Sequence, residues 1–389
     1  MHLGIVSPFP PEISGIGQYG WQVTQGLGDT GRFRQITVFT GTTSNPGPLP
    51  VSGGLSIRRV WTRDDVASVM GLTPAIRAAR PDVVWFNLGF TVFGSSRAAN
   101  FLGLAAPMLA RRAGLPTVVT LHELFEFAPP RALGAMNGHI TTLGARTATR
   151  MVLSADVVCV TLRRYVAELQ ARYAAGHVRH VPHGAFAGPE FLAPPPDAPP
   201  REILIFATFA PYKGLPVLLE AFDQLRRRDP RVTLTIAGSD HPRFPGYLAG
   251  VRASLNGTHS DGSIRWLGPQ TEAQLREVFA RACVVALPYI ATTGASSVLH
   301  RAAAFGRPMI ASDLPDIRAV ADEENLRLEY VPPSDPSALA EALARLLANP
   351  DRRRELAAHN LAVMQAMTLG HTCARYVELF EGVTGKSEN

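Results

Sequence analysis

Two lysines occur in the 389 residues, and one of them, Lys213, stands where a strand hands over to a helix. It closes the segment ATFAPYKG (207–214), which follows the apolar run EILIFATF and precedes the helical pattern LPVLLEAFDQL. A cation in such a loop can reach an anionic group held at the strand ends. A second anion-seeking segment is TTGASSVLHRAAAFG (292–306), after the strand-like CVVALPY. Gly294, Ala295, Ser296 and Ser297 are small residues at a helix start. The N–H groups there lack intrahelical partners, and with the serine hydroxyls they can seat a diphosphate. A third segment, Ser14-Gly15-Ile16-Gly17, opens a helix after the first strand. Gly15 and Gly17 allow backbone N–H groups to approach a ligand closely. His122, followed by Glu123, ends the strand-like VVTLH, where an imidazole can hydrogen-bond a substrate or move a proton. Each feature has an ordinary alternative: a solvated lysine, an N-capping Ser296, a tight glycine turn, a structural histidine. His183, before Gly184, reads as a hinge-loop residue.

The elements that must position these residues alternate between strand and helix. HLGIVSPF, ITVFTG, SIRRVW, PDVVWFNLG, LPTVVTLHE, ADVVCVT and VRHVPHGAF are strand-like, with helical patterns between most of them, the first from about Tyr19 to Leu27. GPEFLAPPPDAPPR (188–201) is proline-rich, as a semi-rigid linker would be. The alternation then restarts with EILIFATF, VTLTIAGS, SIRWLG, CVVALPY and PMIASD. A long helical stretch follows, broken near Asn349–Pro350, and a last helix near His371–Gly382 ends the chain. Such alternation implies parallel sheets with right-handed crossovers. The expected architecture is α/β: two doubly wound Rossmann-like domains facing a cleft. The first spans 1–187, the linker 188–200 and the second 201–369; a helix at 370–389 crosses back to the first. Ligands of open α/β sheets sit beyond the carboxyl ends of the strands, where the four segments lie.

Composition narrows the function. The net charge is +6, and it is uneven: residues 1–187 hold 17 Arg, no Lys and 9 acidic residues, whereas the remainder holds 21 basic and 23 acidic residues. A basic half attracts anionic lipid or phosphorylated substrates. No basic stripe interleaved with aromatics is present, which argues against nucleic acid. No run of about 18 uncharged apolar residues suits a membrane span. The beginning MHLGIVSPFPPE reads as a first strand, not as a signal peptide. Cys159, Cys283 and Cys373 lack zinc or disulfide spacing and are expected to be reduced, buried thiols. The expected location is cytoplasmic, with peripheral contact at the inner membrane face through the Arg-rich first domain.

Taken in order, PPEISGIGQY, TLHE, ADVVCVTLRRYVAEL, VRHVPHGAF, FATFAPYKGLPVLLEAF, LTIAG, IRWLG and TTGASSVLHRAAAFGRPMIASDLP resemble the retaining glycosyltransferases of family 4, of GT-B fold, across nearly the whole chain. The resemblance implies a nucleotide-sugar donor bound mainly by the second domain. It matches Lys213 to a lysine on the donor phosphates, Gly17 to a glycine loop closing over them and His122 to a histidine near the transferred sugar. The last helix, around Arg375–Phe380, would cross onto the first domain. The sequence departs from the family pattern at three positions. Thr208 stands where an arginine usually precedes the lysine by five residues. Thr293 and Arg301 stand where two glutamates eight positions apart usually contact sugar and ribose. A carboxylate accepts hydrogen bonds from a ribose diol, whereas a guanidinium only donates. Arg301 suits phosphate instead, where it could take over from the missing arginine.

The expected reaction is transfer of a sugar from a nucleotide-diphosphate donor to a hydroxyl of a glycan, glycolipid or small metabolite, with retention. The candidate catalytic residues are His122 and Lys213. The candidate donor-binding residues are Gly15, Gly17, Thr208, Lys213, Thr293, Gly294, Ser296, Ser297 and Arg301. No cofactor or metal is expected. The alternatives are a catalytically impaired protein that binds a sugar or a partner, and another GT-B enzyme such as an epimerase or phosphorylase.

Overall fold

The computed structural model describes residues 1–12, 14–44, 54–127, 138–184, 201–255, 259 and 261–385. The chain divides into two compact units, one of residues 1–127, 137–183 and 369–389, the other of 128–136 and 184–368. The proline-rich linker expected at 188–200 lies outside the described residues.

The first unit is built on seven parallel strands: β1 (His2–Val6), β2 (Gln35–Gly41), β3 (Leu55–Trp61), β4 (Val83–Leu88), β5 (Thr117–Leu121), β6 (Val157–Val160) and β7 (Val178–His180). Their order is β3-β2-β1-β4-β5-β6-β7. In register, Leu3 of β1 pairs with Ile36 of β2 and with Val83 of β4. The central strands are apolar on both faces because helices cover both sides, which is why HLGIV and VVWFNL read as continuous runs. The helices are α1 (Gly15–Asp29), α2 (Val66–Met70), α3 (Leu72–Ala79), α4 (Arg97–Leu104), α5 (Ala106–Arg112), α6 (Gly138–Val152) and α7 (Arg163–Tyr173). The chain steps from β1 to β2 in one direction and from β3 through β7 in the other, so right-handed crossovers put α1 on one face and α2–α6 on the opposite one.

The C-terminal helix Leu369–Thr384 belongs to this first unit and packs on α1. A side chain at Gly26 would meet the Cys373 sulfur at 2.6 Å, so glycine is what lets the two helices approach. Beneath them Tyr376 Oη lies 2.8 Å from Tyr19 Oη and 2.7 Å from Thr120 Oγ1, and the Trp85 indole donates to the same threonine at 2.9 Å. The buried polar tips of three aromatic side chains are thereby satisfied by one another and by β5.

The second unit carries six parallel strands: β8 (Arg201–Phe209), β9 (Val232–Asp240), β10 (Ile264–Leu267), β11 (Val284–Leu287), β12 (Met309–Ser312) and β13 (Glu329–Val331). Their order is β10-β9-β8-β11-β12-β13. The long helical stretch is two helices, Pro336–Ala348 and Pro350–Ala366, joined at Asn349. The Asn349 side chain accepts from Arg352 N at 3.0 Å and caps the second helix, and Pro350 suits its first position. The three cysteines are buried and form no disulfide.

Both sheets thus have a point where the winding direction reverses, between β1 and β4 and between β8 and β11. A crevice opens there beyond the strand ends, which is where such sheets take ligands.

Candidate functional site

In the first unit the reversal point is lined by the turn into α1, the end of β4 and the residue after β5. Ser14 caps α1, and its hydroxyl accepts from Gly17 N at 3.0 Å. The Gly17 amide therefore serves the cap, and Gly17 is buried, whereas Gly15 is exposed at the helix start. His122 follows β5 and is 9% exposed. Its Nε2 lies 2.6 Å from Asn87 Oδ1.

The orientation of Asn87 follows from its other contacts. Its Nδ2 donates at 2.9 Å to the Ile16 carbonyl, which can only accept. The same Nδ2 lies 2.9 Å from Ser7 Oγ, whose hydroxyl is committed to the Pro8 carbonyl at 2.7 Å. The amide nitrogen must therefore point at Ile16 and Ser7, and the amide oxygen at His122. An oxygen there requires a proton on His122 Nε2, which leaves Nδ1 as the acceptor nitrogen. Burial pushes the His122 pKa down to about 4, so the ring is neutral at physiological pH. Gly20 is required by this packing, since a side chain there would meet Ser7 Oγ at 2.2 Å and Asn87 Nδ2 at 2.8 Å.

Tyr19 stands edge-on to His122 with ring centres 4.8 Å apart, and His183 lies 5.2 Å from Tyr19 and 6.3 Å from His122. His183, expected as a hinge-loop residue, is thus a buried member of the His122 cluster. Glu126 is taken up by Tyr173 and Arg172, whose hydrogen bonds reach it at 2.8 Å and 3.0 Å.

In the second unit the loop after β8 turns through a short 3-10 segment, Pro211–Lys213, and Gly214 at φ +69°. A side chain on Gly214 would sit 1.8 Å from the Pro288 carbonyl oxygen. Only glycine permits this approach, which brings the loops after β8 and β11 together. They are tied further by Ile290 N donating to Tyr212 O at 2.8 Å. The Lys213 ammonium lies 4.0 Å from the centre of the Tyr289 ring and 5.6 Å from that of Tyr212. Among the described residues no carboxylate pairs with it. The π-face holds the charge without neutralising it.

Tyr289 also reaches the next segment, its hydroxyl lying 3.3 Å from Ser296 Oγ. Ser296 occupies the cap position of the helix Ser297–Ala304 but makes no side-chain cap hydrogen bond. The ordinary capping role is therefore not the one its hydroxyl takes. The structure brings Lys213, Tyr289 and Ser296 together at the β8/β11 reversal, with the helix N-terminus beside them, an arrangement that attracts an anion.

The remaining candidates divide. Thr293, Gly294 and Ser297 are half-buried around this helix start. Thr208 is half-buried within β8, in register with Ser239 of β9, one residue before the strand ends. Arg301 is only 3% exposed and belongs to the packed part of the helix. The neighbouring His300 is also buried, with Nε2 2.7 Å from Glu324 Oε2. Burial alone would lower its pKa, but the Glu324 carboxylate and the hydrogen bond to the Ser296 carbonyl together more than offset this and the pKa is raised. Thr292 Oγ1 donates to the buried Asp316 at 2.9 Å, anchoring the loop ahead of Thr293. Among the described residues no group of three or more His, Cys, Asp or Glu is placed to hold a metal ion, and no helix is long and apolar enough to cross a membrane.

The contacts of Asn87 with His122 and of Tyr289 with Lys213 were not legible from residue types and spacing. For Asn87 a signal existed: an amide inside the apolar strand VVWFNL must find buried partners.

Residues 14–184 match the family model "Glycosyl transferase 4-like domain", and residues 200–349 match "Glycosyl transferases group 1". Among curated proteins, the chain is similar to phosphatidyl-myo-inositol mannosyltransferase of Mycolicibacterium smegmatis, 29% identical over 53% of this chain and 52% of that protein. It is also similar to the protein of that name from Mycobacterium tuberculosis, 30% identical over 45% of each chain. The chain therefore spans about half the length of the curated relatives it matches. Among solved structures, sucrose-phosphate synthase from Thermosynechococcus elongatus superposes with a TM-score of 0.77 at 18% identity, over 100% of both chains. HepE from Anabaena, in complex with UDP and glucose, superposes with a TM-score of 0.74 at 16% identity, over 97% of this chain and 99% of that one. At these identities the likeness is one of fold.

Proposed function

Because the chain belongs to the group 1 glycosyltransferases, with the GT-B fold, we propose that it moves a hexose from a nucleotide-diphosphate donor to a hydroxyl acceptor with retention of anomeric configuration. The observation that carries this reading is Lys213, a cation held on the Tyr289 ring 4.0 Å away, at a sheet reversal and beside a helix N-terminus. That combination suits a leaving diphosphate, on which negative charge grows as the glycosidic bond breaks. Lys213, the Ser296 and Ser297 hydroxyls and the N–H groups of that helix stabilise the departing charge. Gly294 leaves room for the phosphate to approach, and Thr293 offers a neutral hydroxyl to the sugar where its relatives are expected to offer a carboxylate. Thr208 lies in β8, ahead of the loop. In the first unit His122 presents a neutral imidazole, and Gly15 starts a helix whose first amides add donors.

The acceptor is a glycan, a lipid-linked sugar or a small metabolite. The curated relatives named for phosphatidyl-myo-inositol, together with the Arg-rich first 187 residues, favour the lipid-linked class and peripheral action at the cytoplasmic face of a membrane. Lys213 and the helix start supply the positive charge themselves, so turnover proceeds without an added divalent metal and persists in EDTA. The test is turnover of a panel of UDP-, GDP- and ADP-hexoses, with the product's anomeric proton read by NMR. An α-linked product from an α-donor is expected. An inverted product would remove the retaining mechanism, and hydrolysis of no donor in the panel would remove the reading itself.

A further inference from the structure

We propose that the outer surface of α6 is a contact face for an anionic phospholipid membrane, an inference that deepens the lipid-linked acceptor reading and rests on it only for the contact's purpose. Five large apolar side chains are exposed among the described residues: Val66, Met70, Leu109, Ile140 and Leu143. All five belong to α2, α5 and α6, on the sheet face opposite α1. On α6 itself Ile140 is 59% and Leu143 64% exposed, more than an ordinary solvated helix face shows at two adjacent turns.

The helical repeat places these two with Arg146 and Arg150. At about 100° per residue, His139, Ile140, Leu143, Arg146, Thr147 and Arg150 share an arc of about 120°. All six are exposed, while Ala145, Ala148, Thr149 and Val152 on the other side are buried. Within the arc Ile140 lies at one edge and Arg146 at the other, with Leu143 and Arg150 side by side between them. The Arg150 guanidinium rests 5.5 Å from the Tyr173 ring centre, which leaves its charge in place.

None of α2 through α6 contains an acidic residue, although the first 187 residues contain nine. Acids that flank these helices in the chain have partners of their own: Asp156 pairs with Arg111 of α5 at 2.7 Å, Glu126 with Arg172 at 3.0 Å, and Asp65 caps α2. Asp64 accepts from the Ser95 hydroxyl at 3.1 Å and from the Ser96 amide.

A bilayer interface is the partner that uses both kinds of side chain at once. Leucine and isoleucine enter the acyl boundary, and arginine stems lie along it with their heads among the phosphates. Nucleic acid would use the arginines but leave the aliphatic chains in water. A second copy of the chain would oppose arginine to arginine.

The test is flotation of the full-length protein, without donor, on vesicles of phosphatidylcholine alone or mixed with phosphatidylglycerol. Wild type is expected on the phosphatidylglycerol vesicles only. R146E/R150E and I140S/L143S are each expected to lower the partition coefficient at least tenfold, while R227E/R228E, which changes an exposed pair on the second unit, leaves it unchanged. The proposal is overturned if wild type ignores anionic vesicles or if the α6 variants bind as wild type does. Equal loss by the second-unit pair would overturn it too, by making the attraction one of bulk charge. So would sedimentation velocity showing that the α6 variants dissolve a dimer. Nucleotide-sugar binding by the same samples separates the two readings: a protein that floats but binds no donor contradicts the transferase, and one that binds donor but does not float contradicts only the membrane face.

Discussion

At the scale of single residues, the structure sets both the tautomer and the charge of His122. Asn87 fixes its tautomer and burial keeps it neutral, so its ring acts as a hydrogen-bond partner and not as a cation. Its nitrogen resonances are therefore expected not to titrate between pH 8 and about 5, with Nε2 carrying the proton. The Asn87→Ala variant should give a mixture of tautomers and a kcat lower by about tenfold. An unchanged nitrogen spectrum in that variant would show that Asn87 does not set the proton's position.

The same shift has a consequence for stability. His122 binds a proton in the unfolded chain below pH 6.5 but in the folded one only near 4. The unfolded state thus binds more protons in that interval, and stability falls as pH drops through it, by up to about 3 kcal/mol from this residue. The effect should disappear from urea titrations of His122→Asn. His300 has the opposite sign: its raised pKa adds stability at low pH that is lost as pH rises.

At the scale of elements, the strands were the most legible part of the molecule. HLGIV, VVWFNL, TVVTL and EILIFATF are mainly apolar without period-two alternation because parallel strands are covered on both faces, and each appears as a strand. The helix break at Asn349–Pro350 was readable for the same local reason, proline at a helix start. Lys213 and the Ser296 segment were readable because they follow strands and precede helices. What joins them was not. Tyr289 ends an apolar run like many tyrosines, and its ring meets Lys213 only because Gly214 allows one loop against the next. Contacts between loops distant in sequence leave no period behind. The same holds for His183, whose neighbours Tyr19 and His122 come from α1 and β5. Gly214→Ala is therefore expected to cost about 3 kcal/mol, from a left-handed backbone and collision with the Pro288 carbonyl. Thermal melting should show it, and a variant as stable as wild type would contradict the close approach.

At the scale of the whole molecule, the chain's last helix completes its first unit. Cys373, Tyr376 and Phe380 are buried there, and the Tyr376 hydroxyl satisfies Tyr19 and Thr120. A chain ending at Thr368 is expected to lose on the order of 5 kcal/mol from the first unit, visible as an early, separate unfolding transition. A truncated protein that melts like the full chain would contradict this.

The proposed function requires a nucleotide-sugar donor at the β8/β11 reversal, held there by the charge of Lys213. The deciding measurement is calorimetric titration of wild type and Lys213→Ala with UDP-, GDP- and ADP-sugars. Wild type is expected to bind at least one donor, and Lys213→Ala, which removes one charge-assisted contact to phosphate, to bind it tenfold or more weakly. Binding of no donor, or equal binding by both proteins, would contradict it.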